Sequence, residues 1–317
     1  MKALRFSKFG PPSVLAVEEV LKPQPRAGEA LVRVKASAIN PSDVKNVSGH
    51  FSATTLPRIP GRDFSGIVVE GKPLEGAEVW GTGAGLGVGR DGAHAEYVAV
   101  PIEVLSRKPA NLSMEQAAAI GVPFTTAWAA LVRAAQLRAG ETILIVGARG
   151  AVGQAATQIA KWKGARVIGA VQGAGNVSGA DIAIDTRAVD LRARVLEVTD
   201  GHGVDVVLDT VGGAMFEPSL RSLRLGGRQV AITSTGDRRV SFDLVEFYHN
   251  QSHLIGVDST QFTPADVAEM GSALLPGFES NALKAPAIET VPFEDAINAY
   301  EKAAAGQAKL KLVLTFS

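Results

Sequence analysis

The sequence predicts an α/β protein in which an antiparallel β domain is followed by a doubly wound parallel sheet, and three observations carry that prediction. Over the first hundred residues, short runs such as Glu29 to Ile39 (EALVRVKASAI) and Ser65 to Gly71 (SGIVVEG) alternate apolar and polar side chains between glycines and prolines. From Ser113 (SMEQAAAIGVPFTTAWAALVRAAQL) the apolar period becomes helical. Beyond that, short apolar strands recur with connecting segments between them, the pattern of a parallel sheet covered on both faces.

Each element has its own signal. The alternating runs predict a barrel-like or sandwiched β domain. Ser113 is a candidate N-cap with Gln116 at the capping-box position, which puts a domain boundary near Gly121. The strands expected next are TILIVGA, ARVIGAV, ADIAID, VDVVLDTV and GRQVAITST. Only QGAGNVSGA separates Val171 from Asp181, too short for an ordinary crossover, so the helix there is expected to be shortened or missing. Helical stretches TPADVAEMGSALLPGF and PFEDAINAYEKAAAG and a last strand LKLVLTF close the chain.

Composition bounds the function. The 317 residues, 46% of them hydrophobic, can bury a large core, and the length suggests two domains. Thirty-two basic residues balance 32 acidic ones, which disfavours nucleic acid or an anionic membrane as partner and points to a small molecule. No apolar run is long enough to span a membrane, and MKALRFSKFG lacks the apolar region of a secretory signal, so a cytoplasmic location is expected. With no cysteine, disulfides, thiolate nucleophiles and sulfur-ligated zinc are excluded.

The segment Ala148-Arg149-Gly150-Ala151-Val152-Gly153 follows a strand and opens a helix. There Gly150 would let backbone amides approach a pyrophosphate, Gly153 would let the helix pack close to the sheet, and the helix N-terminus would supply partial positive charge. The alternative is a tight turn without a ligand. Strand, loop, helix and next strand follow in order within about thirty residues, which favours the dinucleotide reading.

Together with AINPSDVK (Ala38 to Lys45), PGRDFSGIVVEG (Pro60 to Gly71), GAHAEYVAVP (Gly92 to Pro101), AAAIGVPFTTAWAAL (Ala117 to Leu131) and GVDVVLDTVGG (Gly203 to Gly213), this loop resembles the medium-chain dehydrogenase/reductase superfamily, in its zinc-free quinone oxidoreductase, zeta-crystallin-like branch. The resemblance runs over nearly the full length. It implies a GroES-like catalytic domain from residues 1–120 and 259–317, a Rossmann nucleotide-binding domain from 121–258, and an active site in the cleft between them. It also implies a homodimer, with His253 to Asp258 (HLIGVD) as the pairing edge or else simply a covered strand.

In zinc alcohol dehydrogenases of this superfamily, three residues bind the catalytic metal. Their places align with Asn40, Arg62 and Val122, which are not a set of ligands, and the four-cysteine structural lobe is replaced by WGTGAGLGVGRDG (Trp80 to Gly92), a flexible rim or a tight packed turn. No metal site is expected, and without a Lewis acid, simple alcohol oxidation gives way to acceptors with their own electrophilicity, quinones and activated alkenes.

No carboxylate follows the second strand of the parallel sheet (AVQGAG) to grip ribose hydroxyls, which removes a reason for NAD. Arg149 and Arg187 are the nearby cations suited to a 2′-phosphate, or else solvated surface arginines; NADPH is favoured, with NADH open. The resemblance further implies that Thr126 hydrogen-bonds the cofactor, that Gly212 lets the backbone approach its nicotinamide half, and that Asn40 reaches the nicotinamide ribose or the substrate. Asn40 could instead be a turn residue before Pro41. Phe51 and Lys45 stand where relatives carry tyrosines, leaving Lys45, His50 or solvent as the proton source. Asp43, Arg62, His94 and Tyr97 read as structural. The leading function is hydride transfer from NADPH to a quinone or to the β-carbon of an α,β-unsaturated carbonyl. An enoyl-thioester reductase and a non-catalytic, cofactor-binding redox sensor are the alternatives, the former weakened by the absence of a basic cluster for a carrier's phosphates.

Overall fold

A computed structural model describes residues 1–317. The chain opens with β1 (Lys2–Phe6), β2 (Leu15–Glu19), β3 (Glu29–Ala38), α1 (Pro41–Val47), β4 (Asp63–Glu70), β5 (Glu78–Gly81), β6 (Tyr97–Pro101), β7 (Leu105–Arg107), α2 (Met114–Ala118) and α3 (Gly121–Trp128). A strand and helix series follows: β8 (Thr142–Val146), α4 (Ala151–Trp162), β9 (Arg166–Val171), β10 (Ile182–Asp185), α5 (Leu191–Val198), β11 (Val204–Asp209), α6 (Phe216–Leu220), β12 (Leu223–Ala231), α7 (Leu244–His249) and β13 (His253–Gly256). It ends with α8 (Pro264–Glu279), β14 (Ile288–Pro292), α9 (Ala296–Ala304) and β15 (Lys311–Thr315). Two compact units emerge, one of Met1–Thr125, Thr260–Ser280 and Lys284–Ser317, the other of Thr126–Ser259 and Asn281–Leu283.

In the first unit the main sheet has the order β14-β15-β3-β4-β5-β7, with β6 also paired to β3. It is antiparallel except where β14 runs parallel to β15, the one departure from the expected all-antiparallel pattern. Alternation puts Leu4, Val32, Val34, Phe64, Val79 and Leu312 into one core, closed by Phe293 and Tyr300. The stretch Trp80 to Gly92 is a packed turn: Leu86 and Val88 are buried, and Gly89 and Arg90 both donate to the Gly85 carbonyl. Ser113 caps α2 as its spacing predicts, its Oγ accepting from Gln116 N at 3.2 Å while Gln116 Oε1 accepts from Ser113 N at 3.0 Å.

The second unit is a six-stranded, all-parallel sheet of order β10-β9-β8-β11-β12-β13. Numbered within the sheet this is 3-2-1-4-5-6, so the order reverses between β8 and β11, where such folds bind ligands at the carboxyl ends of the strands. Central strands read as continuous apolar runs because both faces are covered, and Ile143, Leu144 and Ile145 have no exposed surface. No helix forms between β9 and β10, in keeping with a connection of only ten residues, 172–181.

Candidate functional site

The second unit contributes backbone. After β8 the chain turns through Gly147, Ala148 and Arg149 to Gly150, the extended N-cap of the 12-residue α4, with Ala151, Val152 and Gly153 forming its first turn. This leaves the first amides of α4 without intrahelical acceptors, a ready anion site at the sheet's switch point. Gly153 is required by packing: a Cβ there would lie 2.4 Å from the Gly147 carbonyl oxygen and 2.7 Å from Ala148 Cα, both backbone. On the neighbouring strand, Asp209 ends β11 and its Oδ1 accepts from Val211 N (2.9 Å) and Gly212 N (2.8 Å). That draws in a loop in which Gly212 adopts φ +68°, with no room for a Cβ beside Thr233 O. Burial raises the Asp209 carboxyl above its usual range, opposed by those two amides. Asp209 escaped the sequence reading; its signal is an acid placed two and three residues before amides in a turn.

Arg149 and Arg187 converge on the connection after β9. Arg149 donates to the carbonyls of Gln172, Gly173 and Ala174 at 3.3, 3.3 and 2.9 Å, and Arg187 Nη2 reaches Gln172 Oε1 at 3.4 Å. Asp185 lies between them. Its carboxyl is held below the usual range by the Arg187 amide first, then the Gly173 amide and the two guanidinium charges, against the cost of desolvation. Thr126 Oγ1 is buried without a hydrogen-bond partner, an orphaned polar atom of the kind a ligand satisfies.

The first unit contributes side chains, and sheet register places them. Val313 pairs with Ala38 and Ile39 N donates to Leu312 O, so Lys311 falls opposite Asn40. Ala38 pairs with Asp63, and Phe64 with Gly81, which brings Asp63 beside Thr82. The result is a hydrogen-bonded row across four adjacent strands. Lys311 Nζ donates to Asn40 Oδ1, Asn40 Nδ2 donates to Asp63 Oδ2 at 2.9 Å, and Thr82 Oγ1 donates to Asp63 Oδ1 at 2.6 Å. Val122 N adds a third contact to the Asp63 carboxylate at 2.8 Å.

Buried charge defines this row. Burial raises the Asp63 and Asp43 carboxyls, opposed for Asp63 by the Lys311 charge and for Asp43 by the Asn40 amide and the Arg62 and Lys311 charges; burial lowers the Lys311 ammonium, which both carboxylates oppose. Beside it, Tyr300 Oη and His94 Nδ1 share a 3.0 Å hydrogen bond, and burial lowers the His94 pKa to about 4, keeping the ring neutral.

Asn40 is therefore both an N-cap, with Asp43 closing the capping box on its amide, and the centre of the row. Asp43 has the structural role read from the sequence, and Arg62 donates to Ser42 Oγ at 3.3 Å. Lys45 and His50 do not join the row: Lys45 is half-buried on α1 and His50 is exposed beyond it, its Nδ1 3.2 Å from the Lys45 carbonyl. At 100° per residue, Lys45 leaves α1 well away from the face that Asp43 buries. Lys311, Asp63 and Thr82 were missed because nothing local marks residues that only strand pairing assembles. No group of three or more His, Cys, Asp or Glu side chains is arranged to hold a metal ion. A cavity of about 560 Å³ in this unit takes in Arg5, Arg26, Arg58 and Arg90. Glu18, Asp91 and Glu29 pair with three of these arginines, making it a charge-matched surface.

A glycine-opened helix at the switch point of a 3-2-1-4-5-6 parallel sheet, carried with a GroES-like β unit, defines a pyridine-nucleotide oxidoreductase class. Comparison with known proteins agrees. Residues 26–110 match the alcohol dehydrogenase GroES-like domain family and 151–275 the zinc-binding dehydrogenase family. A zinc-type alcohol dehydrogenase-like protein of Schizosaccharomyces pombe is 38% identical, covering 100% of this chain and 98% of that one. The quinone oxidoreductase of Homo sapiens is 29% identical over 95% of this chain and 93% of its own. Among solved structures, a mycobacterial quinone oxidoreductase superposes with a TM-score of 0.89 at 26% identity, and an alcohol dehydrogenase superfamily protein from Novosphingobium aromaticivorans with 0.88 at 30%, each over 100% of both chains. The chain belongs to the medium-chain dehydrogenase/reductase superfamily, in its quinone oxidoreductase-like branch.

Proposed function

We propose that the protein is a zinc-independent, NADPH-dependent reductase acting on a quinone or on the activated C=C of an α,β-unsaturated carbonyl. The observation that carries this reading is the chemistry at the three aligned metal-ligand places. Arg62 is a cation, Val122 has no donor atom in its side chain, and Asn40 is bonded to Lys311 and Asp63. Such a trio offers no Lewis acid for an alcohol oxygen, which leaves acceptors that are already electrophilic.

The residues of the second unit fit a dinucleotide. The amides of Gly150, Ala151, Val152 and Gly153 at the α4 N-terminus would hold its pyrophosphate, with Ala148 and Arg149 lining the turn. Arg149 and Arg187 would take the 2′-phosphate with N–H donors that their present contacts leave over. Thr126 Oγ1 and the Gly212 backbone would meet the nicotinamide half. Bound there, the reduced nicotinamide supplies a hydride. The Asn40 amide would orient the nicotinamide ribose or the substrate oxygen that gains charge, and the proton comes from Lys45, His50 or solvent.

The same reading makes the protein a cytosolic homodimer. In support, β13 is an edge strand with Leu254 exposed, beside a cavity of about 640 Å³ lined by His253 and Ile255 and near the exposed Leu244, Val245 and Tyr248. Sedimentation at micromolar concentration should give twice the chain mass.

The decisive test is initial-rate oxidation of NADPH and NADH, side by side, with one ortho-quinone and one simple enone. Turnover that prefers NADPH and survives a chelator is expected. Absence of turnover with both acceptors, while nicotinamide fluorescence reports binding, would favour a sensing role.

A further inference from the structure

The row across the first unit places a lysine from the far end of the chain against Asn40, the side chain assigned to the nicotinamide ribose or substrate oxygen. Asn40 is 2% exposed, and an amide in so enclosed a place can be inserted in two ways, with oxygen and nitrogen exchanged. Its two neighbours decide between them. Lys311 Nζ has only donors and must face Oδ1; Asp63 has acceptors already engaged by Thr82 and Val122 and faces Nδ2. With one Nδ2 hydrogen on Asp63, the other is left for a ligand.

We propose that Lys311 is a positioning residue of the reductase site: its ammonium fixes the orientation of the Asn40 amide, so that the second Nδ2 hydrogen is presented as a donor. This rests on the assignment of Asn40 to the nicotinamide ribose or substrate oxygen made above. Asp63 alone accepts from Asn40 but does not hold its oxygen. Without a donor at position 311, Oδ1 loses its partner in a buried place and the amide can turn or leave its rotamer. The register pairing explains why this residue is a lysine at the start of a strand: at that position β15 lies opposite Asn40, while Leu312, Val313 and Leu314 behind it are buried.

A double-mutant cycle tests this, with kcat for NADPH oxidation by an ortho-quinone as readout, in variants whose melting curves show that they are folded at the assay temperature. N40A and K311M are each expected to lower kcat about tenfold or more, the scale of one lost charge-assisted hydrogen bond, with the double variant no slower than N40A alone. A merely structural lysine would lower stability without this coupling. Multiplying losses in the double variant, or an unchanged kcat in K311M beside a slow N40A, would overturn the role of Lys311 and leave that of Asn40 standing. An unchanged N40A would remove the assignment of Asn40 itself and the inference with it. If K311M does not fold, K311Q closes the cycle: as a neutral donor it should keep more activity than N40A, and equal loss with no coupling would overturn the proposal. The same cycle in NADPH Kd, read by nicotinamide fluorescence, separates a wrong role for Lys311 from a wild type that binds cofactor but does not turn over.

Discussion

In the parallel-sheet unit the candidate site is built on backbone, with amides at the start of α4 and glycines without room for a side chain, to which Arg149, Arg187 and Thr126 add side chains. In the β unit it is made of side chains, Lys311, Asn40, Asp63 and Thr82, aligned by the pairing of four strands. The glycine-opened turn of the first site is encoded within a few consecutive residues and fails by steric clash. The second is encoded over 271 residues of separation, carries buried charge, and fails by loss of a partner. Substitutions should separate the two.

The largest effect is expected at Asp63. Asp63→Ala leaves the Asn40 amide, Thr82 Oγ1 and Val122 N without their acceptor and Lys311 without a neighbouring counter-charge, at a cost on the order of 3–5 kcal/mol in denaturant unfolding. A loss below about 1 kcal/mol would mean that the row is not a coupled buried network.

His94 comes next. Its folded pKa of about 4 lies below the unfolded value near 6.5, so the unfolded chain binds the extra proton between these values. Its contribution is complete above pH 6.5 and is lost as pH falls toward 4, on the order of 3 kcal/mol. Burial raises the neighbouring carboxyls, which works in the opposite direction, so the clean readout is the difference between wild type and His94→Gln: it should shrink as pH falls through this window.

Gly153→Val pits a branched side chain against two backbone atoms. A stability loss of about 1–3 kcal/mol is expected, together with weaker NADPH binding by fluorescence titration and little pH dependence, in contrast to the row. Arg149→Ala and Arg187→Ala should each lower the NADPH to NADH preference about tenfold while leaving NADH turnover near wild type. Equal loss with both cofactors would reassign the arginines to holding the loop. The smallest effect is Ser113→Ala, about 1 kcal/mol of stability and no change in either site.

Several of these elements were legible before the structure. The strands of the parallel unit, the missing crossover helix, the Ser113 cap and the helices after Thr263 follow from periodicity and caps, which are local. The glycine-rich segment after β5 left two readings open, and packing of Leu86 and Val88 decided for the tight turn. Asp209 was written plainly in VDVVLDTVGG, yet its task depends on where the following turn folds back. Arg149 and Arg187 stand 38 positions apart, and only the pairing of β9 with β10 brings them to one loop.

By itself, then, the sequence determined the things that depend on near neighbours: strand and helix periods, the strand-glycine-helix unit, the balanced charge and the absence of cysteine. Tertiary structure alone decided which side chains share the interior with Asn40. Strand register is a long-range property, set by how whole faces pack, and a one-residue shift of β15 would turn Lys311 to the other side of the sheet and remove it from the row.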